Sequence, residues 1–205
     1  MIETTQKILD TAEHLFATQG YAGTSLRQII AEAGVNVAAI HYHFGGKEDL
    51  LDAVILRKAG PVNDRRLSIL DGLEAGGKTP TVEEILGAFF QPMAETAAKE
   101  PQFVAMMGRV ISEGLLPAIA QKHFAPVTAR IWAALMRAVP ELPQDEFRMR
   151  VQFLVGAMAR TVCGPADWPA MDCAGVETRI EYLVTFLSAG FRARATRAAA
   201  KQEKK

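Results

Sequence analysis

The chain has 205 residues, 49% apolar and 22% charged, which suffices to bury a core and excludes a disordered polyelectrolyte. Lysine plus arginine equals aspartate plus glutamate at 23 each, so overall charge does not point to a polyanionic partner, and two cysteines are too few for a disulfide framework. No apolar run approaches the roughly 18 residues of a membrane helix, and the N-terminus lacks the basic and apolar regions of a secretory signal, so a cytoplasmic address without a membrane partner is expected.

In chain order, apolar residues recur at helical spacing and nowhere at the spacing of a strand, so the expected fold class is all-α. Ile8, Leu9, Ala12, Leu15 and Phe16 form the first stripe, with Thr4 or Thr5 as cap and Gly20 as stop. Thr24 or Ser25 caps a second helix whose stripe is Leu26, Ile29, Ile30 and Ala33, ended by Gly34. A short third helix opens at Asn36 and runs to about Phe44, before Gly45 and Gly46 break the chain. The fourth begins at Lys47, where Glu48 and Asp49 suit the positive end of its dipole, and Gly60-Pro61 is expected to kink it.

Residues 72–80 read as a loop, and Thr81-Val82-Glu83-Glu84 as a capping-type start to a helix reaching about Lys99. Further helical patterns cover 102–114, 125–139 and 144–162, followed by an irregular stretch at 164–169. A last helix from about 175 carries Val176, Ile180, Leu183, Val184, Leu187 and Phe191 on one face, and the tail from Arg194 is expected to fray. The expected organisation is a helix-turn-helix domain over 1–46, a connecting helix over 47–73, a larger helical domain over 74–193 and a basic tail over 194–205.

Two short helices joined through Gly34-Val35 make a helix-turn-helix, whose first helix lies across the DNA backbone while the second enters the major groove. At about 100° per residue, Val37, Ile40 and Phe44 share one narrow side and are expected to face the core. Ala38, Ala39 and Tyr42 point away, flanked by Asn36 and His43, with His41 at the boundary. Alanines let a helix approach base edges closely, and their methyls suit thymine; Asn36 suits adenine or a phosphate. Tyr42, Lys47 and the amides opening the fourth helix are placed for backbone contacts. Local charge does not help: residues 1–58 hold five basic and seven acidic groups, whereas 192–205 hold six basic and one acidic.

The run Gln19-Gly20-Tyr21-Ala22-Gly23-Thr24-Ser25-Leu26-Arg27-Gln28-Ile29, then Ala33-Gly34-Val35, then Ile40-His41-Tyr42-His43-Phe44-Gly45-Gly46-Lys47-Glu48-Asp49-Leu50-Leu51 closely resembles the headpiece of the TetR family, over about residues 5–55. The resemblance implies a homodimer that binds a palindromic double-stranded operator. It also implies release when a small, largely apolar effector enters the C-terminal domain, and hence a repressor. DNA contacts carried over from it fall on Ser25, Arg27, Asn36, Ala38, Ala39, His41 (where the family most often has tyrosine), Tyr42, His43 and Lys47.

All seven internal methionines follow residue 90, interleaved with aromatic rings, a combination that suits a pocket adapting to an apolar ligand or an ordinary helical core. Phe90, Met93, Met106, Met107, Arg109, Trp132, Met136 and Phe153 are the expected lining, with Gln91, Glu113, His123, Arg130 and Gln152 as polar groups able to orient a ligand. Arg109 and Glu113 stand four apart, the spacing of a helix salt bridge. The last two helices are the family's usual dimer pair, which marks Phe153, Ala157, Val184, Leu187 and Phe191 as candidates for the interface. Residues 138–143 with 152–157 are similar to fatty-acid-responsive members, implying an acyl chain or acyl-CoA as effector.

No nucleophile–base set, metal-ligand spacing or phosphate loop is visible, so no catalytic residue, metal or cofactor is expected. Cys163 and Cys173 read as inert thiols, with a redox switch as the alternative. The competing function is an activator, or a ligand-independent partner-binding module on the same fold.

Overall fold

A computed structural model describes residues 2–163 and 175–196, which form ten α-helices and one π-helical turn. The helices are α1 (Ile2–Gly23), α2 (Leu26–Ala33), α3 (Val37–Phe44), α4 (Lys47–Glu74), α5 (Val82–Lys99), α6 (Pro101–Ser112), α7 (Leu116–Ile119), α8 (Ala125–Ala138), α9 (Gln144–Cys163) and α10 (Val176–Arg192), with the π turn at Ala120–Phe124 between α7 and α8. No strand occurs among the described residues, as the spacing of apolar residues implies. Among them no single helix is long and apolar enough to cross a membrane.

Two compact units result: residues up to Asp64 with Thr96–Ala125, and Arg65–Glu95 with the residues from Pro126 on. The first unit is built on the stripe of α1, where Ile8, Ala12, Leu15 and Phe16 are buried against Ile29 and Ala33 of α2, Ile40 of α3 and Leu50, Val54 and Ile55 of α4. Met106 and Val110 of α6 close the same core. In the second unit Leu70, Ile85, Leu86, Phe89 and Phe90 are buried, as are Ile131 and Leu135 of α8, and Leu154 of α9 is buried along with Ile180, Leu183 and Leu187 of α10, on which α9 packs.

Several boundaries differ from the sequence reading for identifiable reasons. The first helix starts at Ile2, so neither Thr4 nor Thr5 is its cap. Its helical conformation ends at Gly20 (φ 79°, ψ 169°), and a short turn follows to Gly23. α4, by contrast, keeps within one residue of the expected connecting helix and includes Pro61, with Ala59, Val62 and Asn63 buried beside it. Residues 116–124, which carry no clear stripe, are helical as well.

The start of α5 follows the expected capping geometry. Glu84 N–H donates to Thr81 Oγ1 (3.2 Å), while Thr81 N–H (2.7 Å) and its hydroxyl (3.0 Å) donate to Glu84 Oε2. These bonds, first from the Thr81 backbone, hold the Glu84 carboxyl below its ordinary pKa. Thr81→Ala is expected to cost about 1 kcal/mol of stability, read from the urea midpoint; an unshifted midpoint would show that the cap contributes nothing.

Candidate nucleic-acid interface

The helix-turn-helix is assembled by capping and glycine geometry. Ser25, in extended conformation, accepts the Gln28 N–H on its Oγ at 3.1 Å and so opens α2. Gly34 closes it in the left-handed region (φ 62°), with Gly34 N–H bonded to Ala31 O and Val35 N–H to Ile30 O. Three residues later α3 begins, anchored by the fully buried Ile40 and by Phe44 packed against the core.

Tyr42 stands 80% exposed on α3, its ring meeting His43 edge-on at 5.1 Å. Arg27 and Asn36 are exposed and His43 is half-buried. The Ser25 hydroxyl keeps its proton available while capping α2. The side chains of Ala38, Ala39 and His41 lie outside the described residues, although their backbone belongs to α3. Val37 is 56% exposed instead of facing the core, because the first residue of so short a helix lies beyond the edge of the three-helix packing.

Lys47 is engaged differently from the expectation of a free phosphate contact. Its Nζ donates to the carbonyls of Tyr21 and Thr24, each at 2.9 Å, and lies 4.2 Å from the centre of the Tyr21 ring. Two of its three N–H donors therefore hold the turn between α1 and α2. The opening of α4 already carries Glu48 and Asp49 in its first turn, which compensates the dipole that would otherwise attract a phosphate.

Three of the seven acids in residues 1–58 are held in ion pairs. Arg57 of α4 pairs with Asp10 (2.6 Å) and Glu13 (2.5 Å) of α1, and Glu13 is 4% exposed. Asp52 is paired with Lys122 and with His123 Nε2 (2.7 Å). Burial pushes the Asp52 carboxyl up, but the hydrogen bonds from Lys122 and His123 outweigh it and hold the pKa low. α3 itself carries no acid.

The expected effector residues divide between the two units. Met106 is fully buried in the first core, Met107 packs against it, and exposed Arg109 reaches the Thr18 carbonyl (3.4 Å). Phe90, Met93, Trp132, Met136 and Phe153 belong to the second unit, where Phe90 is buried and Met136 and Phe153 are exposed. None of the eight lines either of two open grooves, of about 570 and 590 Å³, among the described residues of that unit. Sequence reasoning missed Arg66, 3% exposed, whose Nε donates to Phe89 O (2.7 Å) while its guanidinium lies 4.2 Å from the Phe89 ring centre; burial lowers its pKa to about 10. Nothing in Asp64-Arg65-Arg66-Leu67 separates it from the exposed Arg65 beside it.

The residues expected at the interface divide as well. Phe153 is 63% exposed and Ala157 and Val184 are half-buried, but Leu187 and Phe191 are buried within the unit, the latter with its ring 6.0 Å from Phe147. They share the inward stripe of Ile180 and Leu183, so they cannot serve an outer face. The exposed apolar groups of α10 are Tyr182 and Phe186, one turn apart, and α9, which packs on α10, exposes Met149 and Phe153. A pair of aromatics at i, i+4 off the main stripe was the available signal.

Comparison with known proteins agrees with this geometry. Residues 8–54 match the bacterial regulatory proteins of the tetR family, and residues 86–190, about half of the chain, match the Tetracyclin repressor-like C-terminal domain. The transcriptional regulator SrpR of Pseudomonas putida is 40% identical over 60 residues, 29% of this chain, and the match spans only 28% of SrpR's length. The regulator Mb3439c of Mycobacterium bovis is 28% identical over 176 residues, covering 73% of this chain and 85% of that protein. Among solved structures, the fatty acid degradation regulator FadR from Bacillus halodurans superposes with a TM-score of 0.66 at 18% identity, over 90% of this chain and 98% of that one, a likeness of fold. With helix-turn-helix and C-terminal domain both matched, the chain belongs to the TetR family and is a DNA-binding transcriptional regulator, not an enzyme.

Proposed function

We propose that the protein acts as a homodimeric repressor that binds a palindromic operator and is released by a small, largely apolar effector. The observation that carries this reading is the set of apolar side chains that α9 and α10 expose, where Met149, Phe153, Tyr182 and Phe186 are between 47% and 72% exposed. Apolar side chains of this size, exposed on two packed helices, favour burial against a second copy. Two copies on a two-fold axis present two α3 helices to half-sites of opposite orientation, which is what a palindrome requires. Effector entry in the second unit would act through α4, which is continuous from Lys47 to Glu74 and so belongs to both units.

The support for an apolar effector is the aromatic cluster of Phe89 with Phe90 (5.0 Å) and Trp132 (5.5 Å). Acyl chains and acyl-CoA are the first class to test, given the fold shared with a fatty acid degradation regulator. The experiment is to recover an operator by in vitro selection of genomic fragments on the purified protein, then titrate the complex with acyl-CoAs of several lengths. Release at some lengths supports the reading; no release at any length removes the acyl class, and selection yielding no palindrome removes the dimeric operator.

On the recovered duplex, Tyr42→Ala is expected to weaken binding by about tenfold, the worth of one good contact, without shifting the melting temperature. The side chain is 80% exposed and makes no core contribution to lose. Anisotropy and thermal unfolding on the same preparation check it, and unchanged binding would take Tyr42 out of the interface.

A further inference from the structure

We propose that Glu113, at the end of α6, is a positioning residue for the helix-turn-helix: its carboxylate fixes the turn from which α2 departs. The inference rests on the DNA-binding headpiece and not on the effector reading. Glu113 Oε1 accepts the N–H of Tyr21 (3.0 Å) and Oε2 that of Ala22 (2.9 Å), so one carboxylate takes two successive backbone amides. Both amides are turned out of α1 because Gly20 adopts φ 79° and ψ 169°. A Cβ at Gly20 would lie 2.1 Å from Glu113 Oε1, so glycine is required there both for its conformation and for the room it leaves the carboxylate.

The opposite side of the same turn faces a cation. Its carbonyls at Tyr21 and Thr24 accept from Lys47 Nζ of α4 at 2.9 Å each. The turn's donors thus meet an anion from α6 and its acceptors a cation from α4, and charge-assisted bonds on both sides define its orientation. Thr24 and Ser25 follow directly, and Ser25 caps the helix that carries Arg27. Glu113 is exposed and lies outside the hydrophobic core, while α6 is already held on α1 through Met106 and Val110. Removing the carboxylate therefore leaves the packing in place and frees the turn. The expected Arg109–Glu113 salt bridge does not form: the two side chains reach separately for α1, Arg109 to the Thr18 carbonyl and Glu113 to the turn.

The test compares Glu113→Ala, Glu113→Gln and the wild type for operator affinity by anisotropy, for hydrogen exchange at the Tyr21 and Ala22 amides, and for melting temperature. Glu113→Ala is expected to lower affinity for the selected duplex by about fivefold to tenfold, and to speed exchange at those two amides at least as much, with melting almost unchanged. Glu113→Gln keeps one acceptor oxygen and should fall between the two. Gly20→Ala should weaken binding in the wild type more than in the Glu113→Ala background, where the carboxylate clash is gone, although the strained φ remains in both. Affinity that stays at the wild-type value in Glu113→Ala, affinity that falls only in step with the melting temperature, or Gly20→Ala effects that add independently would each overturn the proposal.

Discussion

Phe186→Glu is expected to yield a folded monomer at micromolar concentration whose affinity for a palindromic operator is lower by about 100-fold or more. Phe186 is 72% exposed and Tyr182, one turn before it, 69%, so neither contributes to the interior of its own unit. In a symmetric interface each substitution acts twice, placing two carboxylates near the axis in surroundings that cannot hydrate them. Losing the link between copies removes the effective concentration that makes the second half-site binding intramolecular, and with it most of the affinity. Sedimentation velocity reads the assembly state, and anisotropy on full and half-site duplexes separates the two effects. Half-site affinity should stay at the wild-type level because α3 is untouched. A variant that remains dimeric and binds the full site normally would remove this face from the interface. Leu187→Glu is the control of opposite meaning: at 4% exposure it would be buried within its own unit and should prevent folding outright.

The contrast between Phe186 and Leu187 shows what could be read from the chain and what could not. Periodicity located α10 and its inward stripe, because burying a contiguous face leaves a regular trace. It did not say which neighbour the stripe would meet, so Leu187 and Phe191 looked equally fit for a second copy and for α9. Headpiece geometry was legible to the residue at Gly34 and Ile40, and to one of two adjacent residues at the Ser25 cap, since capping and left-handed glycine are local. Val37 was misplaced because a helical wheel has no ends, whereas a helix of eight residues is mostly ends. The grouping of methionines after residue 90 suggested one pocket, yet Met106 lies in the first unit's core, because α6 returns to α1 across a long stretch of chain. Glu113 on the amides of Tyr21 and Ala22 is of the same kind: a contact over 91 and 92 residues leaves no periodic mark.

Lys47 tests whether a cation of the headpiece reads DNA or holds the protein together, and Lys47→Met separates the roles because it keeps most of the apolar stem while removing the ammonium. Two hydrogen bonds from a charged group to the Tyr21 and Thr24 carbonyls, with the ammonium over the Tyr21 ring, predict a loss of about 2–4 kcal/mol in stability, after allowing for partial exposure. A lysine serving only a phosphate would cost no stability and would instead reduce the slope of log affinity against log salt by about one. The expected result is therefore a lower urea midpoint and weaker operator binding with the salt slope unchanged. A full-strength fold with a shallower slope would assign Lys47 to the phosphate backbone and leave the turn to Glu113 alone.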